Sequence, residues 1–151
     1  MDMTDTRAEM TPKLVDSLYV EAMLLADEAR AYFDSSGKDD RLGLDPTVRI
    51  GFACESLKVT TRLMQVIAWL LTQRAVAAGE LSKAQAGSAE RRLGDAPESD
   101  AELLAKLPDS AVALIRSSQE LYGRVRRIDE GSPEPQPSPA RTLLSRLQRS
   151  F

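Results

Sequence analysis

The residue type that would decide most about chemistry is missing: the 151-residue chain contains no histidine. Without imidazole there is no Ser-His-Asp or Cys-His nucleophile, no HExxH zinc site and no two-histidine iron site. Catalysis would fall to carboxylates, lysines, tyrosines or the single thiol, Cys54. A reactive thiolate needs a cation or a helix N-terminus to stabilise it and a base to take its proton. Lys58, one turn on, is a weak source of the first, and nothing supplies the second, so Cys54 reads as inert. Asp27, Glu28 and Glu55 read as solvated acids on helix faces, Glu55 pairing with Lys58 or Arg62 for about 0.2–0.5 kcal/mol.

Two spacings imitate binding loops. Residues 34–45 (DSSGKDDRLGLD) have the length of a calcium loop. Lys38 and Leu42 fall where oxygen ligands are required, Asp39 takes the glycine position, and the final bidentate glutamate is replaced by Asp45. Ser36-Gly37-Lys38 fails as a phosphate loop, because Tyr32 stands where the first glycine belongs and Asp39 follows the lysine. The segment reads as a solvated connection or a protein-contact surface. No metal, cofactor or catalytic residue is expected.

The elements that would carry any site are helical. Apolar residues make up 42% and charged residues 28%, which fits one domain with a modest core. A net charge of -3 gives no bulk reason to expect nucleic acid or an anionic membrane as partner. One cysteine excludes an intramolecular disulfide and suits a reducing compartment. The start, MDMTDTRAEMTPK, lacks the apolar run of a leader, and the most apolar stretch, Leu63 to Leu71, is too short to cross a bilayer. These point to a soluble cytoplasmic protein without stable membrane insertion.

Thr11-Pro12 reads as a cap followed by proline at the first helical position, opening a helix over 12–34. Asp45-Pro46 repeats that signature and opens the longest helix, 46–78, with Gly79 as its stop. On a helical wheel Val48, Phe52, Val59, Leu63, Val66 and Leu70 share about half the circumference with Ala53, Leu57, Met64, Ile67, Leu71 and Ala75, an arc wide enough to pack two partners. A weaker helix is expected at 82–93 and a short turn near 101–106. A last main helix over 108–128 presents Ala111, Val112, Leu114, Ile115, Ser118, Leu121, Tyr122, Val125 and Ile128 as one broad apolar face. No strand is expected. The fold class is therefore all-α: an antiparallel three-helix bundle with short extra helices, occupying 1–128. Residues 129–151 form a disordered tail: a proline-rich linker, EGSPEPQPSPA, then a basic amphipathic peptide, ARTLLSRLQRSF. The last twelve residues carry +3, against -6 for everything before them.

Surfaces for protein docking are the remaining sites to find. Trp69 falls amid the polar face of the long helix, beside Arg62, Gln65, Gln73 and Val76. Tryptophan is costly to leave in water and recurs at interface hot spots. Two readings stand level: a dimer or partner interface, or burial beneath a fold-back of 82–107. Val20 and Leu24 form a secondary ridge on the first helix. In the tail, Leu143, Leu144, Leu147 and Phe151 share one face and suit tethered partner docking better than membrane anchoring.

The segments TPKLVDSLYVEAMLLADEARAYFD (11–34) and RIGFACESLKVTTRLMQVIAWLLTQRAVAAGE (49–80) resemble the alphaproteobacterial family named for the regulator of CtrA degradation, RcdA. The resemblance extends through about Ile128. It implies a dimeric three-helix bundle without enzymatic activity, acting as an adaptor that delivers cell-cycle regulators such as CtrA to the ClpXP protease. CpdR and PopA would be fellow adaptors, and the cell pole a site of concentration. Two other classes stay open. A nucleic-acid-binding regulator would use Arg116, Arg124, Arg126 and Arg127 with the tail. An enzyme would need a pocket of convergent polar groups.

Overall fold

The computed structural model describes residues 3–131, with side chains from Pro12 onward. The described residues are helical or irregular, with no strand. Three long helices make the body: α1 (Met3–Ala31), α3 (Pro46–Ala77) and α6 (Asp109–Glu130). Between them lie α2 (Lys38–Leu42), α4 (Lys83–Ala86) and α5 (Ala101–Leu104).

Each long helix forms because apolar side chains recur on one face, and that face defines the core. Val15, Leu18, Ala22, Leu25, Ala29 and Tyr32 line α1 at steps of three and four. Phe52, Val59, Leu63, Val66 and Leu70 face them from α3, and Ala111, Leu114, Ile115, Leu121 and Val125 from α6. Packed at native density, a buried leucine or isoleucine here contributes about 2–5 kcal/mol relative to alanine.

Several boundaries differ from expectation. The first helix begins at Met3, so Thr11-Pro12 does not cap it, and Pro12 lies inside it. Proline removes one backbone bond without ending the turns before it. The expected loop at 34–45 is largely helical: one π-turn (Tyr32–Ser36) leads directly into α2. Gly37 makes this tight, since its N–H donates to the Tyr32 carbonyl and a Cβ there would lie 2.7 Å from that oxygen. Residues 38–42 therefore cannot wrap a cation as a calcium loop does. The helix expected at 82–93 is only Lys83–Ala86, capped reciprocally by Ser82 and Gln85; Gly87 ends it. The last helix runs to Glu130, so Asp129 belongs to the bundle. The limits of α3 follow the sequence signals, with Pro46 in its first turn and Gly79 beyond its end at φ 78°.

Chain direction explains the rest. Arg74 of α3 meets Asp16 of α1, while Phe52 meets Tyr32, so these helices are antiparallel. Arg62 meets Ser118 and Trp69 meets Asp129, so α3 and α6 run side by side in the same direction. The connection 78–108 must then travel back along the bundle from the end of α3 to the start of α6. It does so as a strap laid over the α3/α6 groove, with the glycine at 94 against Gln65, Pro97 against Arg62 and Leu103 against Gly51.

Candidate protein-docking surfaces and the strap that defines them

The strap turns a polar face of α3 into interior. Arg62 is only 2% exposed. Its guanidinium donates to Ser118 Oγ at 3.2 Å, to the Pro97 carbonyl at 3.0 Å and to Ser99 Oγ at 2.7 Å. Ser99 donates in turn to Glu55, which is fully buried and also held by Lys58 at 2.9 Å. Burial pushes the Arg62 guanidinium below its ordinary value while the Glu55 carboxylate opposes the shift. With charge and hydrogen bonds both matched, the cluster avoids the cost of a lone buried ion. Two turns on, Trp69 Nε1–H donates to Asp129 at 2.9 Å, and Arg92 of the strap closes on the same carboxylate at 2.7 Å. Gln65 accepts from the backbone N–H of residue 94, whose carbonyl accepts from Tyr122.

This geometry corrects two expectations. Arg62 and Trp69 are not on offer to a partner: the strap and α6 cover them, which is the fold-back reading of Trp69. Glu55 is not a solvated acid but the centre of the interior network. Gln65 is half-buried in its bond to the strap. Gln73 and Val76 lie half-buried near the end of α3. Leu143, Leu144, Leu147 and Phe151 lie outside the described residues.

Among its exposed residues the body carries several large apolar side chains. Val20 and Leu24 stand 56% and 65% exposed on the outward side of α1. On α3 the expected wide arc divides. Its inner half is core, but Ala53, Leu57, Met64 and Leu71 face outward, joined by Ile50. Three helices in a triangle put both neighbours of each helix on one side, so a half-circumference of apolar residues cannot all be covered within one chain. Sequence reasoning missed Ser99, Arg92 and Asp129, and placed Ser118 on the inner face of the last helix without its bond to Arg62. They lie 37 to 60 positions from the groups they bond in this network, beyond any local pattern.

The basic residues set aside for phosphate contacts are partly engaged. Arg124 pairs with Glu21 and Glu120, and Arg126 with Glu130 and Asp95. A depression of about 460 Å³ lies between the end of α1 and the start of α6, lined by Glu28, Tyr32, Ser36, Ser110 and Ser117 among others. The Tyr32 phenol is already donated to Asp40 at 2.8 Å, leaving Glu28 without an acid or base partner in that lining. No helix among the described residues is long and apolar enough to cross a membrane.

No curated protein matches the chain. The crystal structure of RcdA from Caulobacter crescentus CB15 matches at 39% identity and a TM-score of 0.63, over 77% of this chain and 88% of that one. A family model described as "Protein of unknown function (DUF1465)" matches residues 6–151. The chain belongs to that family and is a relative of RcdA.

Proposed function

We propose that the chain is a non-enzymatic adaptor for regulated proteolysis, bringing a CtrA-like transcription regulator to the ClpXP protease. In this reading it works as a cytoplasmic homodimer, alongside CpdR-type and PopA-type adaptors, and concentrates at the cell pole. The observation that carries the reading is kinship with RcdA across most of both chains. The shape of the body agrees with it. A rigid bundle locked by a buried ionic network presents apolar ridges rather than a reactive pocket, and docking on such ridges raises the local concentration of one partner beside another. Val20 and Leu24 are the proposed contact on α1, with Gln65, Gln73 and Val76 as separate proposed contacts on α3 and the Leu143, Leu144, Leu147 and Phe151 peptide as a tethered contact. Fluorescence anisotropy of a labelled CtrA-like regulator tests the reading. Saturable binding to the full chain, weakened by Val20→Glu/Leu24→Glu, is expected. Absence of binding at about 100 µM protein would overturn it.

A further inference from the structure

We infer that the basic segment beyond the proline-rich linker, residues 141–151, folds back onto its own body, covers the Val20/Leu24 ridge of α1 and seats an arginine against Glu28. The inference rests on the docking role of that ridge in the proposed function and adds its regulation by the chain itself.

The ridge continues into acid. Exposed Val20 and Leu24 are followed on the same stripe of α1 by Asp27, Glu28 and Ala31, also exposed, at steps of three and four residues. Asp27 faces Arg30 at 3.8 Å with both side chains largely in water, an arrangement that leaves it open to a second cation. Glu28 lines the depression between α1 and α6, where Ser36, Ser110 and Ser117 add hydroxyls and no cation enters the lining. A carboxylate beside hydroxyls suits a guanidinium, which brings several donors at once.

Charge, reach and order name the occupant. Residues 141–151 hold Arg141, Arg146 and Arg149, no acid, and the apolar Leu143, Leu144, Leu147 and Phe151. The outer row of α3 offers them no carboxylate, since the one acid of that helix, Glu55, is buried, and α6 exposes no large apolar side chain. Arg124 of α6 meets Glu21 of α1, so α6 ends about 9 Å further on, level with the turns of α1 that precede Val20. The linker 132–140, at about 3.1 Å per residue, spans about 28 Å. That is enough to pass half-way round a helix about 10–12 Å across. From that end the segment meets α1 in matching order: Leu143 and Leu144 reach Val20 and Leu24 first, and Arg146 and Arg149 then reach Asp27 and Glu28.

A nitroxide at Gln148→Cys, made with Cys54→Ser in the full chain, tests the contact by NMR. Amide signals of residues 20–28 should broaden and those of 50–71 should not, and about 1 M NaCl should relieve the broadening by screening the arginines. Arg146→Glu/Arg149→Glu should abolish it. At an effective concentration of about 1 mM, a contact of about 0.1 mM affinity is closed about nine-tenths of the time. The same paired glutamates should therefore tighten binding of the labelled regulator about tenfold. Broadening that is absent, centres elsewhere, survives the paired glutamates, or arises only from a nitroxide on another copy of the chain would overturn the contact. Unchanged affinity with the broadening present would overturn the masking of the ridge. A regulator that binds no form of the chain would sink the proposed function, while the broadening still decides the contact.

Discussion

Replacing Arg62 by methionine keeps most of the side-chain volume and removes the charge at the centre of the interior network. Three hydrogen bonds go with it, to Ser118, Pro97 and Ser99. Glu55, fully buried, then keeps only Lys58 and Ser99. Removing one partner of a buried ionic cluster costs about 3–5 kcal/mol, and the remaining Lys58 pair places this case at the lower end, near 3 kcal/mol. For a helical body of this size that is about a 10 °C fall in Tm. Calorimetry reads the loss, and amide hydrogen exchange reads its location: exchange at 94–100 should quicken because the strap loses its anchor, while α1 keeps its protection. Glu55→Leu/Arg62→Met should recover most of the stability, since an apolar pair of similar volume needs no matched charges. An Arg62→Met protein within about 0.5 kcal/mol of wild type would refute the reasoning, because only a solvated ion tolerates that change.

Other expectations follow from the same structure. Trp69→Ala should cost about 3–5 kcal/mol, and Trp69→Phe markedly less, because Asp129 retains Arg92; chemical denaturation measures both. Burial, together with Asp40, holds the Tyr32 phenol well above its ordinary value. The folded state therefore keeps that proton after the unfolded chain has lost it, and stability present below about pH 10 is lost as pH rises above it. Tyr32→Phe should flatten that alkaline decline in a Tm-against-pH series. Val20→Glu/Leu24→Glu should change Tm by less than about 2 °C, since neither side chain is in the core, while weakening partner binding.

The helices were legible where the signal is local. Asp45-Pro46 and Gly79 marked both ends of α3, and the apolar residues over 108–128 marked the inner face of α6. Pro12 misled because the first-turn preference of proline cannot be told from a proline that helix passes through. The deeper miss was Trp69 and Arg62. A helical wheel ranks faces by polarity, and a polar face usually meets water. Here it meets polar groups delivered by a connection that must return the length of the bundle, because α6 runs parallel to α3. Chain direction is not written in residue periodicity. The same gap hid the outer row of α3, since a wheel shows how wide an apolar arc is and not which half a neighbour covers.

The central claim is that this chain acts by bringing other proteins together at the protease. Its most direct measurement is the rate at which purified ClpXP, with CpdR- and PopA-type adaptors, degrades a CtrA-like regulator with and without the chain. The account predicts faster loss of the regulator with the full chain and little acceleration with Val20→Glu/Leu24→Glu. An unchanged rate at every concentration of folded chain, in the presence of those adaptors, would contradict it.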